Sequence, residues 1–239
     1  MQQVEKPSSG RLGAAVLGGV IGAVVTAALL IFAAPQLVGP RLVRAGMLAD
    51  PQILVDAGEA LRDQQYAPVL AQHRAEIETP FGTSWKGSAK PEVTLVEFYD
   101  YACPYCKASN PAIERLISED PGLRVVYREL PILGQESVEA ARLSLAASKA
   151  GRFAQFHDAL WQAGRPAAQT LAAASQAAGM ASTVPDSADI EAELNKNFRL
   201  ASALGATGTP LFVVGNRVIN SAVSYDELKK AIGDARAKG

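Results

Sequence analysis

The chain has 239 residues, 23 Lys and Arg against 24 Asp and Glu, and a net charge of −1 at pH 7, a balance that lacks the basic footprint of nucleic-acid binding and any sign of an acidic substrate. With 49% hydrophobic residues it can bury a sizeable core in one or two domains. Its only cysteines, Cys103 and Cys106, are separated by two residues and cannot staple distant parts of a fold, so packing must hold the protein together and the thiols are free for chemistry.

In chain order, the first segment is Leu12 to Phe32, inside an uncharged stretch between Arg11 and Arg41. It is long enough to cross the ~30 Å hydrocarbon core as a helix. A cleaved signal peptide is the alternative. The apolar run exceeds a signal-peptide core, however, and Ile31-Phe32-Ala33-Ala34-Pro35 lacks a clean small-x-small cleavage site. Residues 1–34 are therefore read as a cytoplasmic tail and an uncleaved transmembrane anchor. Lys6 and Arg11 on one side balance Arg41 and Arg44 on the other, so flanking charge leaves the orientation open. A dithiol that trades disulfides works best in an oxidising compartment, which puts the bulk of the chain in the periplasm and the anchor, a single pass, in the inner membrane. Gly18 and Gly22, with Ala14 and Thr26, form a small-residue row of the kind that pairs membrane helices; glycine is common in such helices, and composition explains the row better than dimerisation.

Residues 35–79 read as a helical connector. Asp50-Pro51 is a helix start, and Ile53, Leu54, Ala57 and Leu61 follow at helical spacing. A second helix is expected over Pro68–Glu78. Short amphipathic helices of this kind must pack on the catalytic domain, on the membrane or on each other in a homo-oligomer. His73 lies on a helix flank with no partner pattern.

From about Pro80 to Gly239 strands and helices alternate. Strands are expected at Val93–Tyr99, Leu123–Glu129, Leu211–Val214 and Arg217–Ile219, the last two joined by the tight-turn pair Gly215-Asn216. Helices are expected at Pro104–Ser118, Glu136–Ala150, Arg152–Ala163, Thr170–Ala178, Ala188–Leu204 and Ser224–Ala235. Pro111 should remove a hydrogen bond from the first of these and kink it.

The chemistry centres on Cys103-Pro104-Tyr105-Cys106, which opens a helix just after an apolar strand. Unpaired N–H groups and the dipole at a helix N-terminus stabilise a thiolate. Cys103 is therefore expected to be the exposed attacking thiol, and Cys106, one turn in, the buried resolving thiol. Pro104 and Tyr105 shape the backbone and polarity around the pair. Half of a zinc site is the alternative, but it needs four ligands, and neither His73 nor His157 has ligand spacing. Glu97, inside an apolar strand six residues before Cys103, is expected to be buried with a raised pKa and to exchange a proton with Cys106; an edge position or an ion pair is the alternative. Asp100 reads as a solvated turn residue, His157 as packing, and Trp85 and Trp161 as core or groove-lining. Thr209-Pro210 heads a strand, where an X–Pro bond is either cis, leaving the Thr209 backbone to pair with an extended substrate chain, or an ordinary trans start.

Together these residues resemble the DsbA-like, ScsC-like branch of the thioredoxin superfamily. The resemblance rests on Val96-Glu97-Phe98-Tyr99-Asp100-Tyr101-Ala102-Cys103-Pro104-Tyr105-Cys106, Tyr127-Arg128-Glu129-Leu130-Pro131, Phe156-His157-Asp158-Ala159-Leu160 and Gly208-Thr209-Pro210-Leu211-Phe212-Val213-Val214-Gly215. It implies an α/β thioredoxin fold over 80–239 with a helical insertion at about 132–204. It also implies a cis-Pro at 210 and a dithiol–disulfide cycle at Cys103 and Cys106, with Pro104, Tyr105, Thr209 and Pro210 against the substrate. Strong oxidases of the family resemble Cys-Pro-His-Cys with Val before the cis-Pro; Tyr105 and Thr209 here look like isomerase-type members, and a less oxidising potential follows. Some ScsC-like proteins oligomerise through an N-terminal helical extension, which the connector would suit. The anchor departs from the soluble members.

The reading is a membrane-anchored periplasmic thiol-disulfide oxidoreductase, without cofactor or metal, that forms or isomerises disulfides in unfolded or partly folded exported proteins. A DsbB-like or DsbD-like membrane partner would recharge it, and no nucleic acid is involved. One rival is a tethered copper- or other metal-binding protein using the same two thiols as soft ligands. Another is a redox-inactive scaffold working through its connector helices.

Overall fold

A computed structural model describes residues 26–27, 34–183 and 186–238. The expected membrane segment lies outside them apart from Thr26 and Ala27, and among the described residues no helix is long and apolar enough to cross a membrane.

Two helices come first, α1 (Ala34–Ala49) and α2 (Gln52–Glu78). Asp50 does start α2, its carboxylate accepting the Gln52 N–H at 3.1 Å. Where two short helices were expected, α2 is one helix of 27 residues running through Pro68. Proline frees the carbonyl four residues back, here that of Gln64. Gln64 and Pro68 are both exposed, so water can take that carbonyl and the helix continues. The chain divides into two compact units after Ala60, and the C-terminal part of α2 belongs with the sheet.

The sheet has five strands in the order β1-β3-β2-β4-β5: β1 (Trp85–Gly87), β2 (Val93–Tyr99), β3 (Leu123–Glu129), β4 (Leu211–Val214) and β5 (Arg217–Ile219). β2 and β3 pair in parallel, and the other pairs are antiparallel. Parallel neighbours need a crossover, which α3 (Pro104–Glu119) supplies. The helices α4 (Gln135–Lys149), α5 (Phe153–Ala163), α6 (Ala168–Ala177) and α7 (Ala188–Ala203) come between β3 and β4, and α8 (Tyr225–Lys238) ends the described chain. The four expected strands stand at their expected bounds, and the helix ends differ by up to three residues. β1 escaped the sequence reading because three residues, Trp-Lys-Gly, are too short to show alternation.

Helices cover both faces of the sheet, which is why its central strands read as nearly continuous apolar runs. On the first face, Leu95 and Tyr99 of β2 and Val125 and Tyr127 of β3 pack with Ile113 of α3, Phe153 and Phe156 of α5 and Leu228 of α8. On the second, Val96, Phe98, Val126 and Leu211 pack with Leu70 and Ile77 of α2 and Leu200 of α7. Strand alternation therefore sends Glu97 and Glu129 to the first face and Arg128 to the second.

Arg128 is 1% exposed. A buried guanidinium must satisfy five N–H donors, and here each has an acceptor. Nε donates to the Ile77 carbonyl at 2.9 Å, Nη1 to Glu193 at 2.9 Å and Asn197 at 2.8 Å, and Nη2 to the carbonyls of Glu76 and of Thr79, the latter at 2.7 Å. β3 thus caps the last turn of α2 and ties α7 to the sheet, while Asn197 Nδ2 donates to the Glu129 carbonyl at 3.1 Å. Removing the guanidinium leaves the buried Glu193 carboxylate only Lys196 and deprives three carbonyls of their donor. Arg128→Ala is expected to cost about 3–5 kcal/mol in urea unfolding. Arg128→Lys should recover little of this, because an ammonium has three donors and no planar fork.

Candidate active site

β2 delivers the chain to the turn Asp100-Tyr101-Ala102, and Cys103 follows as the N-cap of α3 with Pro104 in its first turn. The Cys103 N–H donates to the Asp100 carbonyl at 2.9 Å, and the Cys103 carbonyl accepts the first helical bond, from Lys107 N–H, at 3.1 Å. Both cysteines are free thiols. α3 continues through Pro111 to Glu119.

Cys103 is 4% exposed, not open to solvent as expected from its place at the helix start. As the N-cap it is held back by its bond to Asp100, and the loop before β4 covers it: Cys103 Sγ donates to the Thr209 carbonyl at 3.2 Å. Pro104 and Tyr105 take the exposed positions, Tyr105 at 65%. The Thr209–Pro210 peptide is cis, with Thr209 partly and Pro210 fully buried.

Cys106 is buried one turn in. Burial pushes its thiol well up and the charge of Glu97 adds to this, while hydrogen bonding by the Asp100 backbone and the Thr209 side chain pulls the other way. Glu97 is 2% exposed on the central strand of the sheet, which rules out the edge position. Burial first, then the neighbouring Cys103 and Glu114, raise its carboxyl to about 8. Glu97, Cys103 and Cys106 thus form one electrostatic cluster, with Thr209 at its edge.

Asp100 is not a solvated turn residue: it is 1% exposed. One carboxylate oxygen accepts the Ala102 N–H at 2.7 Å, and the other accepts those of Ile132 and Leu133 at 2.8 and 3.0 Å. The first contact is a local Asx turn, legible in sequence. The others come from the loop after β3, where Ile132 and Leu133 leave about two-fifths of their surface exposed.

Beneath this turn lies a polar–aromatic cluster that sequence reading reduced to packing. His157 is fully buried, and burial holds its imidazole well below the usual range, so it is neutral. Trp161 Nε1–H donates to His157 Nε2 at 3.1 Å, which makes Nε2 the acceptor and puts the proton on Nδ1, 3.0 Å from the Tyr101 hydroxyl. Tyr101 also meets Ser144 of α4 at 3.1 Å and accepts from Tyr99, whose hydroxyl bonds the buried Glu129 carboxyl as well. The turn before Cys103 is thereby bonded to the helical insertion. Among the described residues, no group of three or more His, Cys, Asp or Glu is arranged to hold a metal ion.

A β2–α3 dithiol facing a proline-headed strand, on a five-stranded mixed sheet with inserted helices, defines a dithiol protein of the thioredoxin-like α/β class. The model of the DSBA-like thioredoxin domain matches residues 94–233, and the chain belongs to that family. Among solved structures it is similar to a periplasmic thioredoxin-like protein from Salmonella enterica serovar Typhimurium, with 30% identity and TM-score 0.64 over 69% of this chain and 95% of that one. It is also similar to the catalytic domain of Proteus mirabilis ScsC, with 27% identity and TM-score 0.67 over 72% and 99%. Thiol:disulfide interchange protein DsbA of Bordetella parapertussis is 26% identical over 77% of this chain and 86% of its own. Two Na(+)/H(+) antiporters, NhaA 3 of Salinispora tropica and NhaA 1 of Salinispora arenicola, match 80 residues at 36% identity; the match spans 31% of this chain and 12% of their length.

Asp100→Ala leaves the buried N–H of Ala102 and the part-buried N–H groups of Ile132 and Leu133 without an acceptor, and a loss of roughly 2–4 kcal/mol is expected, with faster amide exchange at Ile132 and Leu133. The raised carboxyl of Glu97 sets a pH dependence. With a folded pKa near 8 against 4.5 for an ordinary carboxylate, the folded protein holds a proton that the unfolded chain releases, so the dithiol form loses stability as pH rises from 4.5 to 8 and levels off above. Glu97→Gln should flatten that slope and stabilise the dithiol form at pH 8 by roughly 3–6 kcal/mol, measured by urea unfolding across pH.

Proposed function

We propose that this protein is a membrane-anchored periplasmic thiol-disulfide oxidoreductase that forms or isomerises disulfides in exported proteins. The observation that carries the reading is the Cys103 thiol held 3.2 Å from the Thr209 carbonyl, with Cys106 and the protonatable Glu97 buried behind it. The Cys103 thiolate attacks a substrate disulfide, one bond forming from Cys103 to substrate sulfur as the substrate's S–S bond breaks. Cys106 gives its proton to Glu97 in its ionised form, about a tenth of the molecules at pH 7 for a carboxyl at about 8, and attacks Cys103 Sγ. The Cys103–Cys106 bond forms, the substrate leaves as a thiolate, and the pair of electrons has passed from dithiol to substrate. Run in reverse, the same steps oxidise a substrate dithiol. Pro104, Tyr105, Thr209 and Pro210 line the place where the substrate chain sits.

A periplasmic location is supported by the Salmonella relative, whose name states that compartment. The uncharged stretch at Leu12–Phe32 supports residues 1–34 as an inner-membrane anchor that holds the dithiol near a DsbB-like or DsbD-like recharging partner. Residues 35–79 are proposed as an oligomerisation connector, since Leu42, Val43, Leu48, Ile53, Leu54, Val55 and Leu61 are exposed on them. Residues 80–239 carry the catalysis.

The test is a redox titration of the full chain against glutathione with thiol trapping. A reversible two-electron transition is expected, absent in Cys103→Ser, with substrate trapped as a mixed disulfide in Cys106→Ser. A midpoint of about −200 mV or below is expected of an isomerase or reductase, and one of about −120 mV would mark a strong oxidase. Thiols that stay masked until a chelator is added would sink the reading.

A further inference from the structure

A carboxyl that takes a proton from Cys106 must return it to solvent. Glu97 is 2% exposed, and during the resolving step a substrate disulfide-linked to Cys103 covers the Thr209 side of the site. The proton therefore needs a second way out.

On the sheet's first face Glu97 lies opposite Tyr127 in the parallel β2–β3 pair. The Tyr127 hydroxyl is buried and makes no hydrogen bond among the described residues, although its ring packs tightly against His157 and Phe153 at centroid distances of 4.5 and 5.3 Å. A buried hydroxyl without a protein partner is a place where a water binds. The same face carries Lys86, which is paired in register with Val125; its ammonium bonds Glu114 of α3 at 2.5 Å and Asp158 of α5 at 2.9 Å. Lys86 is mostly buried, whereas the two carboxylates are about two-fifths exposed. They open into a cleft of about 400 Å³ between α3 and α5, also lined by Lys107, Pro111 and Trp161. Pro111 has no N–H, so the Lys107 carbonyl lacks its helical donor and is free to hold water at the cleft wall. Glu114, in the cleft lining, also acts electrostatically on both Glu97 and Tyr127.

We propose that this cleft is the proton outlet of the dithiol site: the proton that Glu97 takes from Cys106 passes by way of the Tyr127 hydroxyl and bound water to Glu114, and from there to solvent, with Lys86 holding Glu114 in place. The hydroxyl accepts one proton on oxygen as it releases its own, Glu114 is protonated and then loses the proton to water, and no electron moves. The titratable groups coupled to Glu97 are Cys103, Cys106 and Glu114 from α3 and Tyr127 and Glu129 from β3; the same face carries His157 of α5, Leu228, Ala231 and Ile232 of α8, and Phe212, its register partner on β4. The inference rests on the relay role proposed for Glu97.

The test uses the full chain with Cys103 carried as a mixed disulfide with thionitrobenzoate. Release of the coloured thiolate follows the attack of Cys106. Glu114→Gln is expected to slow release about tenfold at pH 7, and added imidazole, a small proton carrier that enters the cleft, should restore the rate. Tyr127→Phe, which keeps the ring packing, should slow release to a similar extent without rescue. Unchanged rates in both variants, or slowing in Glu114→Gln that imidazole does not relieve, overturn the outlet. If Glu97→Gln releases thionitrobenzoate at the wild-type rate, the relay itself fails and the outlet with it. If Glu97→Gln is slow and Glu114→Gln is not, only the outlet fails.

Discussion

The fold depends on the burial of Arg128. A guanidinium taken out of water is tolerable only when its donors are met and its charge is paired. Here the partners come from two stretches far apart in sequence: the end of α2 with Thr79 just after it, and Glu193 and Asn197 of α7. Both must close on β3 together, so the second face of the sheet is fully committed to structure. Glu193 pairs with Lys196 as well, through its other oxygen.

With that face committed, the chemistry is left to the other. There the buried ionisable groups are carboxyls and phenols that burial keeps neutral, Glu97, Glu129, Tyr99 and Tyr101 among them, together with the neutral His157. Neutral groups cost far less to bury than charges, and they hold protons that move when a neighbouring thiol changes state. Glu97 lies nearest the working range because its ordinary acidity is offset only part of the way, to about 8.

Position is held by a different group. Asp100 accepts three backbone N–H bonds, and hydrogen bonds to a charged acceptor are the stronger kind. The turn before Cys103 is thus pinned from above by the loop after β3 and from below by Tyr101 and His157. α3 then starts at a defined point, with Cys103 as its N-cap. A dithiol on a loop without those pins would have no fixed relation to Thr209.

Much of this was legible in the sequence alone. The four longer strands, the helix opening at Pro104 and the burial of Glu97 follow from nearest-neighbour pattern, because apolar runs, proline and turn residues act on the backbone beside them. The Asx half of Asp100's role was legible for the same reason. The rest depends on which segments return to one another. Asp100 reaches Ile132 and Leu133, Lys86 reaches Glu114 and Asp158, and Arg128 reaches Glu193 across 65 positions, and none of these spacings leaves a mark on a local window. Only the tertiary structure decided that Cys103 is covered, that β1 exists and that α2 runs unbroken through Pro68. Each of these turns on what a distant segment or the surrounding solvent supplies: a carbonyl from Thr209, a strand edge from β3, water for the carbonyl of Gln64.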